Sequence, residues 1–356
     1  MVDILAPLRR KPYRDYALDG PANAKAVADG SANASWYKTP LDRKVLKDLM
    51  KRSDGPALRD TALWLGLLVL TGAAGVALWG TWWAVPVFVL YGLLYTTAAD
   101  SRWHEMGHGT AFKTGWMNDV VYQIASFLMM RNPVVWRWSH ARHHTDTIIV
   151  GRDPEISSMR PVQLLLLAIG LTGVAGLPTI FGILLNHARG RLSAAEQDYV
   201  PASEWPKAYL AARVHVAIYA AVLVACVGTW SVLPAMLIGL PRAYGIWGLI
   251  LIGLPQHAGL AEDVLDHRLN ARTVLMNRPL RFIYSNMNYH VEHHMFPMVP
   301  YHALPRLHEA VKHDCPAPCP SVLAAWREIL PAYLRQQKDP TYFLTKELPP
   351  GAGRAG

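Results

Sequence analysis

The sequence predicts an all-α integral membrane protein with four transmembrane helices, further helices lying in the interface, and a cytoplasmic helical cap that holds a di-metal site. Three observations lead there. Hydrophobic residues make up 52% of the 356 and charged residues 17%, with 13 tryptophans, a balance on the membrane side of ordinary globular composition. Four apolar runs are each about 18–21 residues long, enough at 1.5 Å per residue to cross a hydrocarbon core of about 30 Å. Three histidine clusters lie outside those runs, beyond the span ends. A mean hydropathy of +0.12 is too low for a chain made only of spans, so a sizeable water-exposed part is expected as well.

The elements follow in order. Residues 1–58 are polar and basic, broken by Pro, Gly, Asp and Asn, and read as a cytoplasmic arm with one or two short helices. Arg9, Arg10, Lys11, Arg14, Lys38, Arg43, Lys44, Lys47, Lys51, Arg52 and Arg59 all precede the first apolar run, a bias that places the N-terminus inside. No apolar signal-peptide core stands among them, so the first span is expected to serve as its own insertion signal. Residues 61–79 and 81–98 form two spans in a tight hairpin around Gly80, with Trp82 and Trp83 at the far interface, and the chain returns to the cytoplasm at Asp100. Residues 120–130 are apolar but too short to cross, and are expected in the interface or beneath the next motif.

Residues 162–185 carry no charge and are long enough to span, yet Gly170, Gly173, Gly176 and Pro178 interrupt them. Residues 210–230 and 235–254 give two further spans, with Arg242 after Pro241 marking a break or a buried partner. Parity decides the interrupted run. If the histidine clusters share one site, two crossings fit between His144 and His257 and three do not, so 162–185 is expected to be re-entrant or interfacial. Both far-side loops, near Gly80 and Ser231, then lack Lys and Arg. One domain thus runs over 59–345, closed by cytoplasmic helices around 301–313 and 321–344, and 346–356 is expected to be a disordered tail.

A formal charge of +9 raises nucleic acid as a partner, but no basic stripe is interleaved with stacking aromatics. The charges are expected to face the cytoplasmic leaflet instead. Three cysteines, Cys226, Cys315 and Cys319, give no disulfide framework and fit a reducing compartment. CPAPC lacks the spacing of a zinc pair.

The chemistry sits in the histidines. His290, His293 and His294 stand at i, i+3 and i+4 in NYHVEHHMFP, so a helix there presents three imidazoles on one side. The same spacing recurs at His140, His143 and His144 in SHARHHTDT, and a shorter version, His104 and His108, stands in HEMGH. With 15 histidines in 356 residues, two HxxHH patterns are not an accident of composition. His257, in LPQHAGL where the fourth span ends, makes a ninth ring. Imidazole suits Fe, Zn, Cu and Ni alike, but nine ligands are too many for one tetrahedral zinc. They fit two metals with four to five ligands each, and adjacent redox metals with open positions imply dioxygen chemistry.

Asp100, Glu105, Asp153, Asp263 and Glu292 are candidates to orient the rings through their second nitrogen. His187, His215, His267, His302, His308 and His313 read as surface or helix-end histidines, and Trp136, Trp138, Tyr289 and Phe296 as packing. Two other classes compete. HEMGH satisfies the HExxH pattern of a zinc protease, with Glu105 as general base, but this leaves most of the cluster histidines unexplained. A metal transporter would hold its ligands within the spans, whereas these lie beyond the span ends.

Three boxes in the order HxxxH, HxxHH, HxxHH, together with the words HHTDTIIVGRDPEI and NYHVEHHMFP, resemble the membrane fatty-acid desaturase and hydroxylase superfamily over about residues 60–310. The resemblance implies that the eight box histidines and His257 hold a non-haem di-iron centre, with O2 as co-substrate, that oxidises an unactivated C–H bond. Removal of a second hydrogen leaves an alkene and addition of oxygen an alcohol, and the motifs do not decide between them. Desaturation of a fatty acyl chain of a lipid is the main expectation. Hydroxylation or oxidative demethylation of a non-lipid small molecule is the alternative.

In the acyl-CoA branch of the superfamily the first box has four intervening residues, and an asparagine precedes the ninth histidine by one turn. Here the box has three, and Gly253 stands at that position. The resemblance is therefore closer to bacterial lipid-type members, implying a bacterial inner membrane. The words PMVPYHALPRLHEAVKHD also resemble desaturase-like proteins attributed to rhizopine catabolism, which work beside a Rieske-type ferredoxin. The sequence has no HPGG, no CxxCH and no paired-cysteine pattern, and its literal GxGxxG, Gly351 to Gly356, lacks the strand and helix that motif needs. Electrons are expected from a separate ferredoxin, Rieske-type ferredoxin or cytochrome with its reductase, and a basic face suits an acidic donor.

Overall fold

The apolar runs become the longest helices. Across residues 11–353, which the computed structural model describes, every regular element is helical, and the extended chain amounts to two isolated bridges, Thr273 with Tyr289 and Val274 with Cys319. Arg9 and Arg10 of the basic arm and residues 354–356 of the tail lie outside the described residues. Short helices α1 (Pro21–Ala28) and α2 (Arg43–Leu49) lead into α3 (Asp54–Ala77). The side chain of Asp42 caps α2 by accepting from the N–H groups of Lys44 and Val45, which have no partner within the first turn. A turn then passes through Gly80, whose φ of +85° favours glycine, and α4 (Ala84–Gly92) runs back. Trp82 and Trp83 on this turn are 90% and 74% exposed, as residues of an interfacial belt are.

Past Gly92 the rod continues through a π-helical turn, Leu93–Thr97, into α5 (Ala98–Gly107). Wider turns of this kind loosen the regular ladder and gather at functional sites. Here the indole N–H of fully buried Trp64 donates to the Leu94 carbonyl at 2.9 Å. The second apolar rod and the first histidine box are therefore one continuous element, Ala84–Gly107.

Next come α6 (Gly115–Leu128), α7 (Pro133–Thr145), α8 (Leu164–Gly170), α9 (Leu177–Ala188), α10 (Ala194–Tyr199) and α11 (Trp205–Thr229). The apolar stretch 120–130 falls mostly in α6, which packs chiefly on α5, the helix of the first histidine cluster, with Val121, Tyr122 and Ala125 buried. Among the described residues three rods are long and apolar enough to cross a membrane: Arg43–Ala77, Ala84–Gly107 and Ala202–Gly228. The pair Leu164–Gly170 and Val174–Ala188, bent by 95°, makes a fourth if it is counted as one broken span. Within the apolar windows of the first and third rods only 22% and 17% of residues are buried inside the protein, which leaves their side chains for lipid.

The expected span 235–254 is not one helix. It breaks into α12 (Leu233–Leu237), α13 (Pro241–Tyr244) and α14 (Ile246–Gly253). Gly239 has φ +99°, and Pro241 cannot continue a preceding helix because it lacks an N–H. At Gly245 a Cβ would lie 2.0 Å from the Gly92 carbonyl oxygen, so the segment turns where its backbone touches α4. The flagged Arg242 donates from Nε to the Met129 carbonyl at 3.2 Å.

Of the remaining helices, α15 (His267–Asn270), α16 (Arg278–Ile283), α17 (His290–Met295), α18 (Leu304–Val311) and α19 (Val322–Gln336), α17 packs between α15 and α18, α16 packs on α5, and α19 packs on the turn at 254–256. Residues of the N-terminal arm and of the C-terminal stretch contact this part of the chain. Tyr37 and Thr39 of the arm donate to Asp314, each at 2.7 Å. As far as Gly353, the stretch expected to be a disordered tail is held: Lys346 pairs with Glu328 at 2.7 Å, Gly353 N–H donates to Asp314 at 2.8 Å, and Arg268 donates to the Gly353 carbonyl.

Candidate metal centre

Each histidine reaches the site on a differently built element. His104 and His108 come from the end of the Ala84–Gly107 rod. His140, His143 and His144 lie in the last turns of α7. Pro133 starts that helix, and Asn132 caps it by accepting from the N–H groups of Val134 and Val135; a proline at the first position costs no hydrogen bond. His290, His293 and His294 occupy half of the six-residue α17, which is buried throughout. Packing must hold so short a helix, because its own hydrogen bonds cannot. His257 follows the 3-10 turn Leu254–Gln256 at the end of α14.

The nine rings converge. Ring nitrogens of His104, His108, His140, His144 and His293 lie within 4.8 Å of one another, as do those of His143, His257, His290 and His294. The i+3/i+4 arithmetic thus splits each HxxHH box between the two groups. Nε2 atoms face each other at 3.1 Å between His108 and His140, 2.9 Å between His257 and His290, 3.2 Å between His144 and His293, and 3.0 Å between His290 and His294.

A cation fits this arrangement. Both nitrogens of His104 and the Nδ1 atoms of His144, His290 and His293 are buried without a hydrogen-bond partner, and unpaired buried polar atoms are costly. Burial first, and neighbouring rings second, hold His108, His144, His257, His290, His293 and His294 well below the ordinary imidazole value. These rings are therefore neutral at pH 7 with lone pairs free for a metal.

The other ring nitrogens carry the orienting contacts. His143 Nδ1 donates to Asp153 Oδ2 at 2.8 Å, an oxygen that also accepts from Ile148 N–H. Burial opposes charge on His143, but the Asp153 carboxylate outweighs it and raises the ring's pKa. His257 Nδ1 donates to the Asn270 carbonyl at 2.7 Å, and His294 Nδ1 lies 3.3 Å from Thr147 Oγ1. His140 Nδ1 meets Glu155 Oε2 at 3.1 Å, and Ser139 donates to the other oxygen at 2.9 Å. Burial works to raise the Glu155 pKa, but His140 outweighs it and keeps the carboxyl at about 2.

Of the five acidic residues expected to orient rings, Asp153 does so. Glu105 Oε1 lies 3.6 Å from His104 Nδ1 and 3.8 Å from His293 Nδ1, between two rings of the larger group but beyond hydrogen-bond reach. The other three are corrected. Glu292 turns away and accepts from Thr273 and His308, Asp100 pairs with Arg131, and Asp263 accepts from Val150 N–H and pairs with Arg14. Glu105, the general base in the HExxH reading, is 1% exposed, with Oε2 accepting from Tyr301 N–H at 3.1 Å. Sequence reasoning passed over Glu155, Thr147 and the Asn270 carbonyl, although Glu155 stands two residues after Asp153 in GRDPEI. His267 does begin α15, yet it is 2% exposed, stacked on Trp36 at 4.2 Å and 5.0 Å from the His294 ring.

Cavities reach the rings from two sides. A groove of about 740 Å³ runs along Leu166, Leu167, Gly170, Ile250 and Leu254 to Ser157 and Ser158. These two serines also line a cavity of about 30 Å³ that ends at His257 and Glu155. A separate cavity of about 150 Å³ is lined by His108, His140 and His144.

A family model described as Fatty acid desaturase matches residues 80–326, a stretch that includes all nine histidines. The chain is also similar to Delta(5) fatty acid desaturase fat-4 of Caenorhabditis elegans, 26% identical over 236 residues that cover 59% of this chain and 53% of that protein. It therefore spans about half the length of that curated relative.

Proposed function

This chain belongs to the fatty acid desaturase family, and from that premise we propose that it is an O2-dependent di-iron oxidoreductase of a bacterial inner membrane that desaturates a fatty acyl chain of a lipid. The observation that carries the reading is the gathering of five and four imidazole nitrogens into two groups, each within 4.8 Å. Two bound iron ions would supply the oxidation of an unactivated C–H bond by O2. The residues supply the rest. Asp153, Glu155 and the Asn270 carbonyl fix the planes of His143, His140 and His257, and burial keeps the rings unprotonated and water scarce.

The apolar groove supports a chain-like substrate arriving sideways from the bilayer between α8 and α14, since its volume of about 740 Å³ lies in the ordinary range of ligand sites, about 300–1,000 Å³. At its inner end Ser158 and Tyr333 share a hydrogen bond of 3.0 Å. The cavity of about 30 Å³ beyond has the volume of about one water, so the 156–158 segment must give way to admit the chain. Loss of two hydrogens from adjacent carbons, with reduction of O2 to two waters, balances with two electrons and two protons from outside. A separate ferredoxin, Rieske-type ferredoxin or cytochrome with its reductase would deliver the electrons at the cytoplasmic face, an orientation that the basic arm supports.

Metal analysis of purified protein is the first test. Two irons per chain with reductant-dependent O2 uptake are expected, whereas a single zinc overturns the reading. Mass spectrometry of lipids from cells with and without the protein then tests the substrate. A new double bond is expected, and an unchanged lipid profile beside an altered polar metabolite would favour demethylation. His143→Ala is expected to abolish turnover.

A further inference from the structure

The groove and its neck reach the nine rings from one side, at His257 and Glu155. The cavity of about 150 Å³ reaches them from another, and none of its lining residues is shared with the groove or the neck. Its lining joins His108, His140 and His144, all from the five-ring group, to the buried rings of Trp103 and Tyr122 and to the exposed Met298. It is about half the lower bound of ordinary ligand sites, about 300 Å³, yet several times the roughly 30 Å³ share of a water. A chain does not fit, and a diatomic gas or a few waters do.

The chemistry of the walls narrows this further. Arg137 also lines the cavity, but its guanidinium lies 4.4 Å over the Tyr122 ring and pairs with Asp119 at 3.0 Å. With that charge already engaged, the opening suits a small neutral molecule better than an anion. Met298, 43% exposed, stands at the edge.

We propose that this cavity is the port through which dioxygen reaches the five-histidine side of the centre and product water leaves, while the acyl chain comes through the groove. The inference rests on the reading of the nine imidazoles as metal ligands. Its physical advantage is order. A chain that has entered the neck blocks that route, and a second opening on the far side keeps the site supplied without release of the substrate.

The test uses iron-loaded, reduced full-length protein in detergent, with nitric oxide as a neutral diatomic stand-in whose binding is followed optically by stopped flow. Met298→Trp is expected to slow nitric oxide association several-fold and Met298→Ala to quicken it, opposite changes that a folding defect does not give. Neither is expected to move the KM for the acyl substrate. Gly170→Trp is the converse. A Cβ at Gly170 meets nothing closer than Ile250 Cδ1 at 3.8 Å, so the indole extends into the groove, raising that KM while nitric oxide binds at the native rate.

Unchanged association in both Met298 variants overturns the port, as does equal slowing by Gly170→Trp. Unchanged association with slowed reduction by an electron donor also overturns it and makes this face a donor contact. Absence of iron in the native protein instead removes the metal reading itself, a failure distinct from the others.

Discussion

His143 and Asp153 show how a single contact sets what a ligand can do. The ring offers Nε2 to its group only while Nδ1–H is held by a carboxylate, and the Ile148 N–H holds that carboxylate in turn. Asp153→Asn keeps the shape and loses the charge, and changes at such supporting partners lower metal affinity about 10–100-fold. Chelator competition on iron-loaded protein measures this, and native affinity in the variant would remove Asp153 from the site. Glu292 gives the contrast. It follows His290 by two positions and precedes His293 by one, and on a helix neither neighbour shares its face. Its carboxylate therefore points to Thr273 and His308. Glu292→Gln is expected to cost about 1–3 kcal/mol through weakened buried hydrogen bonds. It should appear as a lower melting temperature with chelator competition close to native, and a large loss of metal at unchanged melting temperature would contradict it.

Among the elements, α7 depends most on one side chain. Asn132, 2% exposed, accepts from the first-turn N–H groups, donates to the Ala208 carbonyl on α11 at 2.8 Å, and lies 3.3 Å from His187. Asn132→Ala removes the cap, worth about 0.5–2 kcal/mol, and leaves the Ala208 carbonyl without this donor. A drop in melting temperature together with lower iron content is expected, because the helix start sets the register of His140, His143 and His144; native values for both would show that packing alone places α7. The box helices and the first two rods were legible from spacing and apolar length, which are local properties. The fate of 235–254 was legible only in part. Its hydropathy satisfies a span and Pro241 with Arg242 marks a break, but the close approach of Gly245 to Gly92, which also divides it, is a constraint set by a helix more than 140 residues earlier in the chain. Glu155, Thr147 and Asn270 escaped for the same reason, since their partners are chosen by how loops close over the rings.

For the molecule as a whole, convergence has an electrostatic cost that pH should expose. Burial depresses the pKa of His108, His144, His257, His290, His293 and His294, and puts His267 at about 3. A group depressed in the folded state leaves stability untouched well above its unfolded value, here 6.5. As pH falls below that value the unfolded chain binds protons that the folded chain refuses, and stability is lost. His143, raised by Asp153, acts in the opposite sense, stabilising below 6.5 and losing that contribution as pH climbs through its folded value, but it is one group against seven. Metal-free protein is therefore expected to melt at a lower temperature at pH 5.5 than at pH 7.5. Iron-loaded protein adds a second proton-linked loss, because each ligand must be deprotonated to bind, so iron should leave over the same interval. Melting curves of chelator-treated and iron-loaded protein at the two pH values separate the terms. A metal-free protein that gains stability on acidification would mean that the rings carry protons in the fold, and so are not lone pairs waiting for a cation.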